Sequence, residues 1–273
     1  MINNKYDFAI IFDVVDGNPN GDPDAGNLPR IDDETGMGIV TDVCLKRKIR
    51  NYVQLTKKCI PPYDIYIKQK SELGDAAEAQ EQPKGGDGKG KKNSVDCHDF
   101  CSKFFDVRTF GAVLTSGSGN NAGQVRGPVQ LTFSRSIDPI VYSEHTITRI
   151  AHDNKGQTMG RKSTVPYGLY VAHGFVSPAL AEQTGFSEDD LALLWESILN
   201  MFESDRSAAR GLMSVKKLVI FKHNSHLGNT PSYKLFDLIK IAKKDPSAPA
   251  RSFSDYDFSV GETPSGVEKT IRE

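Results

Sequence analysis

The segment spanning residues 6–15 constrains the fold most strongly, because it is apolar on both sides of an extended chain. Successive residues of a β-strand point to opposite faces of the sheet. One face carries Phe8, Ile10, Phe12 and Val14, and the other carries Ala9 and Ile11. A strand with two apolar faces must be covered on both, so we predict a buried strand here.

The composition is that of an ordinary globular protein, with 38% hydrophobic and 25% charged residues among 273. Because the formal net charge is -1, a nucleic-acid surface would have to come from local clusters of Lys and Arg. Four cysteines are too few for a disulfide scaffold in a chain of this length. The first residues lack an apolar signal core and no run of 18 apolar residues occurs, so we predict a reduced, cytoplasmic protein without a membrane span.

Periodicity and capping residues predict three helices and several more strands. Thr41 is typical of a helix N-cap, with Asp42 in the first turn and apolar residues at helical spacing behind it. Ser187 begins a second helix as part of a capping box. A third helix is expected to start at Pro231, with Phe236 and Ile239 on its apolar face. Strands are predicted at residues 64–67, 125–133, 142–150, 164–176, 215–221 and 256–260.

Two polar segments are predicted to project from this framework. Residues 69–94 are rich in Gly, Lys, Glu and Ala, which is typical of a flexible insertion. Residues 151–162 separate two strands and contain two glycines, which predicts a long hairpin that protrudes. The mixture of helices and antiparallel strands indicates a single α+β domain of the split βαβ kind over residues 1–273.

The loop at residues 16–38 is so rich in Gly, Pro, Asn and Asp that neither helix nor strand is expected there. It partly matches a calcium-binding EF-hand loop, but the twelfth position is Asn27 and a strand precedes the loop. A metal nuclease would need convergent carboxylates, which loop spacing alone does not provide. The candidates are Asp22, Asp24, Asp32 and Asp33. Side chains that cap their own backbone, or backbone N–H groups that bind phosphate, are the remaining alternatives.

Four cations occupy five positions on the first predicted helix, mostly off its apolar stripe. They are Lys46, Arg47, Lys48 and Arg50. A solvated helix face is the usual role of such a run, and a nucleic-acid surface is the alternative.

Arginines next to small residues and aromatics form a second group of candidates. Glycine lets a backbone approach a ligand closely, and arginine holds phosphate with a planar fork. The candidates are Arg108, Phe110, Gly111, Arg126, Arg206 and Arg210. Arg206 and Arg210 are four residues apart, so they could face a ligand from one side of a helix. The structural alternatives are core packing for Phe110, turns at Gly111 and Gly127, and a simple Asp–Arg pair at a helix end for the last two arginines.

The sequence contains no convincing catalytic set. Cys97, His98 and Cys101 form one cluster, with Cys59 the nearest fourth ligand, whereas zinc sites usually consist of two spaced pairs. His223 and His226 could act as an acid–base pair, although a satisfied surface pair is the simpler interpretation. P-loop, G-x-S-x-G and H-E-x-x-H motifs are absent from the sequence.

Five segments taken together resemble a known family. They are residues 16–27 (DGNPNGDPDAGN) with Pro29 and Arg30, residues 38–50 (GIVTDVCLKRKIR), 106–111 (DVRTFG), 124–130 (QVRGPVQ) and 205–211 (DRSAARG). The combination is similar to the backbone subunit of the type I CRISPR Cascade surveillance complex, a member of the RAMP superfamily, and most similar to type I-C. The resemblance covers most of the chain except residues 69–94.

The resemblance implies an α+β fold, with an RNA-recognition-motif-like (ferredoxin-like) antiparallel sheet, long insertions and a protruding β-hairpin thumb at about residues 142–171. It implies that copies stack into a helical filament along one guide crRNA, bind its phosphate backbone and leave the bases free to pair with target DNA. The large subunit, a crRNA-processing subunit and a recruited helicase-nuclease are the further partners implied. No cofactor, metal or membrane contact is implied.

The resemblance also implies which residues contact RNA. They are Asn18, Asn20, Arg30, Lys46, Arg47, Lys48, Arg50, Arg108, Phe110, Gly111, Gln124, Arg126, Gln130, Arg161, Lys162, Arg206 and Arg210. Related type III backbone subunits cleave RNA with an aspartate in the loop after the first strand. The aspartates at positions 22, 24, 32 and 33 therefore keep metal-dependent RNA cleavage open as the alternative to a non-catalytic role.

Overall fold

The computed structural model has one large antiparallel sheet with helices and smaller hairpins packed against it, and it describes residues 2–68, 97–115, 121–149 and 158–273. The helices are α1 (Asp42–Lys57), α2 (Cys97–Lys103), α3 (Phe105–Phe110), α4 (Pro178–Thr184), α5 (Glu188–Asn200) and α6 (Ser232–Phe236). The strands are β1 (Tyr6–Gly17), β2 (Gly21–Asp22), β3 (Leu28–Pro29), β4 (Met37–Val40), β5 (Gly111–Thr115), β6 (Asn121–Arg126), β7 (Val129–Leu131), β8 (Ser134–Pro139), β9 (Ser143–Arg149), β10 (Thr158–Val176), β11 (Leu212–His223), β12 (Ile239–Lys243), β13 (Tyr256–Val260) and β14 (Val267–Arg272). The predicted insertion at residues 69–94 lies outside the described residues.

Strand β1 lies inside the large sheet, whose strand order is β14-β11-β1-β10-β8-β4. It is antiparallel to both neighbours, so that Tyr6 lies opposite Val176 on β10 and Lys222 on β11. Strands β7 and β9 also pair with β10. The predicted buried strand is therefore confirmed.

One face of the sheet is covered by α1 and α5. Phe8, Ile10 and Phe12 of β1 pack in one apolar cluster with the buried faces of these two helices. The Trp195 ring on α5 meets the Phe8 ring edge-on, with 4.9 Å between the ring centroids. A Cβ at Gly174 would lie 2.1 Å from the Phe8 ring, so β10 needs glycine where it passes this aromatic pair.

The other face of the sheet is covered by the later part of the chain. Ala9 and Ile11 of β1 pack with Phe221 of β11 in a second apolar cluster. Leu235 of α6 and Tyr256 of the β12–β13 hairpin close this cluster from outside. Both faces of β1 are thus buried, as its two apolar faces require.

The predicted helix starts are confirmed where capping residues specify them. The Thr41 hydroxyl accepts a hydrogen bond from the backbone N–H of Cys44 at 3.3 Å, and α1 begins directly after Thr41, at Asp42. Ser187 and Asp190 form the predicted capping box at the start of α5. Every residue predicted for the apolar face of α5 is buried, namely Leu191, Leu194, Trp195, Ile198, Met201 and Phe202.

Several predicted strand and helix boundaries are wrong. Residues 64–67 form only an isolated bridge, between Asp64 and Phe104. The strand predicted at residues 125–133 is split into β6 and β7 around Pro128, which has no N–H for a sheet ladder, and Phe133 is 54% exposed. Pro231 is the N-cap of α6 rather than its first residue, and Ile239 begins a strand.

The hairpin predicted around residues 142–176 is formed by β9 and β10. It is antiparallel, with Ser143 opposite Thr164 at its base and Arg149 opposite Thr158. The side chains of residues 144–148 on β9 are all exposed, so this ribbon has solvent on both faces. Residues 150–157 lie outside the described residues, whereas residues 158–162 of the predicted polar link belong to strand β10.

Candidate nucleic-acid interface

The loop after β1 is folded back onto two other parts of the chain. The Asn18 N–H donates to the carbonyl of Ala209 at 2.8 Å, and its side-chain amide donates to the carbonyl of Asn27 at 2.7 Å. The Asn20 side-chain oxygen accepts both the N–H and the hydroxyl of Thr41 at 2.9 Å. The two predicted loop asparagines therefore hold the loop in place beside the start of α1.

This loop contains more regular structure than its composition suggests. Strands β2 and β3 pair with each other, and a single 3-10 turn over Pro23–Ala25 joins them. Asp22 caps that turn and also pairs with Arg30, at 3.1 Å. The prediction that neither helix nor strand would form is therefore wrong for these short elements, because local side-chain bonds replace a long ladder.

The other candidate metal ligands of this loop are either paired with a cation or exposed. Asp32 pairs with Arg135 of β8 at 2.6 Å, and the hydrogen bond from this guanidinium lowers the pKa of the Asp32 carboxyl. Asp24 and Asp33 are exposed. Within the described ranges, no three His, Cys, Asp or Glu side chains converge in a way that could hold a metal ion.

Helix α1 buries two of its four predicted cations, Lys48 and Arg50. The Lys48 side chain is 1% exposed and its ammonium group pairs with Asp205, while Arg50 is 6% exposed and its Nε donates to Asp106 at 2.8 Å. Burial lowers the pKa of Lys48. The predicted solvated basic side is therefore wrong for these two residues, because carboxylates from distant segments neutralise them inside the protein.

The other two cations of α1 are partly exposed. Lys46 pairs with Asp42 one turn earlier at 2.9 Å, and its Nζ lies 5.8 Å from the centroid of the Phe110 ring. Arg47 donates to the carbonyl of Ile67 at 2.6 Å. These residues keep hydrogen-bonding capacity towards solvent, since a partly exposed cation has further donors beyond one partner.

The segment 106–111 is buried rather than open to a ligand. The Arg108 guanidinium makes a two-pronged contact with Asp190, at 3.0 and 2.7 Å, and also donates to the Cys101 carbonyl at 2.7 Å. Phe110 belongs to the main apolar cluster. The core-packing alternative is therefore correct for Phe110, and Arg108, which was predicted to face RNA, is buried in an ion pair.

Gly111 and Gly127 mark a close crossing of two backbones. A Cβ at Gly111 would lie 2.6 Å from the Gly127 nitrogen, and a Cβ at Gly127 would lie 2.4 Å from the Gly111 nitrogen. Gly111 also has a φ of 82°, a conformation that favours glycine. Each glycine thus leaves room for the backbone of the other. The adjacent Arg126 lies opposite Gly111 in the β5–β6 pair.

Three further predicted residues lie on the β6–β7 segment. Gln124 and Arg126 are exposed, whereas the Gln130 side chain is half-buried and donates to the Gly127 carbonyl at 3.1 Å. Within the part of the chain that the structure describes, the Arg126 guanidinium forms no ion pair.

The segment 205–211 is not helical, so Arg206 and Arg210 share no helical face. Arg206 is exposed and pairs with Glu203, whereas the Asp–Arg pair of this segment is formed by Asp205 and Arg210. Arg210 pairs with Asp205 at 3.3 Å and donates to the Pro19 carbonyl at 3.2 Å. Arg210 therefore fastens this segment to the loop after β1.

Four of the five sequence segments meet around α1. Asp205 reaches Lys48, Asp106 reaches Arg50, and the loop after β1 is bonded to Thr41 and to Ala209. The fifth segment, with Arg126, adjoins this group through the glycine crossing. Arg161 and Lys162 lie elsewhere, on the hairpin strand β10 opposite Thr146 and His145.

Comparison with known proteins supplies the family. A family model described as "CRISPR-associated protein Cas7" matches residues 4–261. The chain belongs to the Cas7 family. A curated Cas7 relative from Haloferax volcanii is 26% identical over 302 aligned positions, which cover 97% of this chain and 83% of the relative.

Solved structures share the fold of this Cas7-family chain. A chain of a "CRISPR RNA-guided surveillance complex" superposes with a TM-score of 0.50 at 16% identity, covering 80% of this chain and 68% of that one. A chain of a "CRISPR RNA-guided surveillance complex, pre-nicking" gives 0.53 at 15% identity, covering 80% and 78%. The family assignment agrees with the resemblance of the five segments. No helix in the described part of this Cas7 chain is long and apolar enough to cross a bilayer.

His223 and Cys101 of this Cas7 chain fill structural positions. His223 is fully buried, where a surface position was predicted, and its Nε2 lies 2.8 Å from Asp7, while its Nδ1 accepts the Asn229 N–H. Cys101 is buried in a small apolar cluster with Val107.

Sequence reasoning missed the carboxylates that organise the site. Asp106, Asp190 and Asp205 each neutralise a cation that was expected to meet RNA. Two of them stand inside the segments 106–111 and 205–211, so a signal was present: an acidic residue in an otherwise basic, glycine-containing motif.

Proposed function

We propose that this chain is a non-catalytic backbone subunit of a type I-C CRISPR Cascade complex. It oligomerises along guide crRNA, binds its phosphate backbone without regard to sequence, and presents the bases for pairing with target DNA in antiviral defence. The observation that carries this proposal is the meeting of the family-like segments around α1. Segments as distant as Asn18 and Ala209 are joined there by direct hydrogen bonds.

An RNA-recognition-motif-like core is supported by the strand order. The succession β1, α1, β8, β10, α5, β11 forms two interleaved βαβ halves in one antiparallel sheet. Both helices lie on the same face, where their apolar residues join one cluster.

Binding through phosphates rather than through base stacking is supported by the cover on the opposite face. RNA-recognition motifs stack bases on sheet aromatics. Here Ile11 and Phe221 on that face are buried beneath α6 and the β12–β13 hairpin. Contacts to phosphate carry no sequence information, which suits a subunit that must accept any guide.

The exposed cations are the best candidates for direct RNA contact. Arg126 adjoins the α1 region, and Arg161 and Lys162 lie on the hairpin that we interpret as the thumb. Lys46, Arg47, Arg206 and Arg210 are partly or largely exposed and extend this basic surface. Lys48, Arg50 and Arg108 support it from inside, because their ion pairs hold the segments together.

The implied partners follow from the same role. A formal net charge of -1 allows many copies to stack without strong like-charge repulsion. Further copies of this chain, the large subunit, a crRNA-processing subunit and a recruited helicase-nuclease are the partners we propose, with target DNA bound through the guide.

RNA cleavage by the loop after β1 is the alternative. The engagement of Asp22 by Arg30 and of Asp32 by Arg135 supports the non-catalytic role, since a two-metal site needs carboxylates that converge on the ions. Incubation of guide-paired RNA with the protein and Mg²⁺ separates the two functions. Cuts at a fixed interval that disappear in Asp24→Ala or Asp33→Ala would establish cleavage.

The proposed RNA surface is tested by anisotropy of a labelled mixed-sequence single-stranded RNA. The triple substitution Arg126→Ala, Arg161→Ala and Lys162→Ala should weaken binding equally for unrelated sequences. It should also reduce the slope of log affinity against log salt by about 2, since each phosphate contact to a single strand contributes about 0.7.

A matched control removes three exposed cations from α6, β12 and β14, namely Lys234, Lys240 and Arg272. This variant should bind RNA with nearly unchanged affinity and salt slope. Equal losses in both triple variants would show that binding depends only on net charge, and would contradict the proposed surface.

A further inference from the structure

A cavity of about 400 Å³ lies at the base of the β9–β10 hairpin, between the β8–β9 connection and the later part of the chain. Pro139 and Val141 line it from one side, Pro166 from β10, and Pro249 from the segment after β12. Its volume is within the range of small-ligand sites in proteins. None of the sequence motifs discussed above contributes to it.

Two tyrosines form an aromatic floor in this cavity. Tyr167 and Tyr256 are both buried, with their ring centroids 6.4 Å apart. The Tyr167 hydroxyl lies 3.4 Å from Asp13, and the Tyr256 hydroxyl donates to Asp138 Oδ2 at 2.5 Å. Because both hydroxyls are already engaged, what the rings offer a ligand is flat apolar surface.

Asp138 places one unused acceptor beside this floor. Its Oδ2 is held by Tyr256, while its Oδ1 accepts no hydrogen bond from any group in the described ranges. The fixed carboxylate can therefore accept an N–H from a ligand without first giving up a protein partner.

Two cations stand at the edge of the same cavity. Lys243 is half-buried at the end of β12, and Arg251 is exposed on the segment that follows. Neither forms an ion pair with a carboxylate in the described part of the chain. Their charges are therefore available to an anionic group on a bound ligand.

We propose that this cavity binds a nucleotide unit, with its base on the tyrosine floor, a base N–H donated to Asp138, and its phosphate held by Lys243 and Arg251. Flat apolar walls, one half-buried acceptor and two cations match the face of a base, a base N–H and a phosphate group. A proline-rich peptide would use the walls but would leave both cations unpaired. The site goes beyond the phosphate-binding surface around α1 and does not depend on it.

Isothermal titration with the four ribonucleoside monophosphates tests the site, with a six-nucleotide RNA in a parallel series. The substitutions Lys243→Ala and Arg251→Ala together should weaken the interaction at least about tenfold, and so should Asp138→Asn. Lys240→Ala is the matched control, because Lys240 lies on the same strand with its side chain exposed on the other side. Thermal unfolding of each variant verifies that the fold is kept.

The arms of the experiment identify the source of the nucleotide. Saturable monophosphate binding that the double variant loses and Lys240→Ala keeps assigns the site to a free nucleotide. Binding of the hexanucleotide alone, with the same dependence, assigns it to a nucleotide of an RNA strand. The proposal is overturned if neither ligand depends on Lys243 and Arg251, or if only a proline-rich peptide binds. Loss of hexanucleotide binding in the Arg126/Arg161/Lys162 variant, with normal binding of both the monophosphates and the hexanucleotide in the pocket variants, would overturn the pocket alone.

Discussion

Arg50 of α1 donates from its Nε to Asp106 Oδ2 at 2.8 Å, and both side chains are buried. The same carboxylate accepts the backbone N–H groups of Tyr66 and Ile67 at 2.8 and 3.1 Å. One ion pair therefore joins the helix, the segment that follows it and the start of α3. Arg50 of the basic motif on α1 therefore has a structural role: its ion pair connects three parts of the chain.

Removing one member of this pair should destabilise the protein strongly. Asp106→Asn leaves Arg50 with a buried charge, which typically costs about 3–5 kcal/mol. Urea unfolding measures the loss. Asp99→Asn is the control, because Asp99 and Lys103 form an exposed pair four residues apart, which contributes less than about 0.5 kcal/mol. Similar midpoints for both variants would contradict a structural role for the buried pair.

The four cations of α1 should separate into two classes. Lys46→Ala with Arg47→Ala should weaken RNA binding and leave the melting temperature nearly unchanged, because both side chains are partly exposed. Lys48→Ala with Arg50→Ala should lower the melting temperature, because both are buried in ion pairs. Melting curves and RNA titrations on the two double variants check this division. If Lys48→Ala with Arg50→Ala melts like the wild type, the division is wrong.

Gly127→Ala should disrupt the crossing beside Arg126. The added Cβ would meet the Phe110 carbonyl carbon at 2.3 Å and the Gly111 nitrogen at 2.4 Å, so backbone must move. Overpacking of this kind costs about 1–3 kcal/mol or more. Gly26→Ala is the comparison, since its Cβ meets nothing within 4 Å and the cost is only that of a left-handed backbone, about 1–2 kcal/mol. A fully stable Gly127→Ala would refute the close crossing.

His173 should make the folded protein less stable at mildly acidic pH. This ring stacks on Phe236 with centroids 4.1 Å apart, and burial lowers its pKa. The unfolded chain takes up a proton near pH 6.5 and the folded chain only at lower pH. Stability is therefore lost as the pH falls through about 6.5, until the folded pKa is passed.

The His173→Phe variant isolates this contribution, because it keeps an aromatic ring beside Phe236 and removes the titrating group. Urea midpoints between pH 8 and 5 should fall less for the variant than for the wild type. Parallel pH profiles would show that His173 is not responsible for the acid sensitivity.

The elements predicted correctly are those specified by neighbours in sequence. Strand β1 has two apolar faces within ten residues, and Thr41 and Ser187 cap their helices through groups three residues away. Strand β14 was missed because it is an edge strand, exposed at every position after Val267, so that no alternation of apolar residues marks it.

The sequence predicted which segments form the candidate site, but not which of their residues are structural and which are exposed. The segments that resembled the family do meet around α1, yet Lys48, Arg50 and Arg108 are buried in ion pairs. Their partners lie far along the chain, 157 residues away for Lys48 and 82 for Arg108. A pairing at that distance leaves no periodic signal in a single sequence.

The inner position of β1 has a consequence for synthesis. Both of its neighbours come much later in the chain, and the Asp7–His223 contact spans 216 residues. A ribosome therefore releases this doubly apolar strand long before β10 or β11 exists to pair with it. Contacts of such long range fold slowly and leave apolar surface open to aggregation meanwhile. We therefore expect the nascent amino-terminal strand to need protection from aggregation, by a chaperone or by the translating ribosome itself.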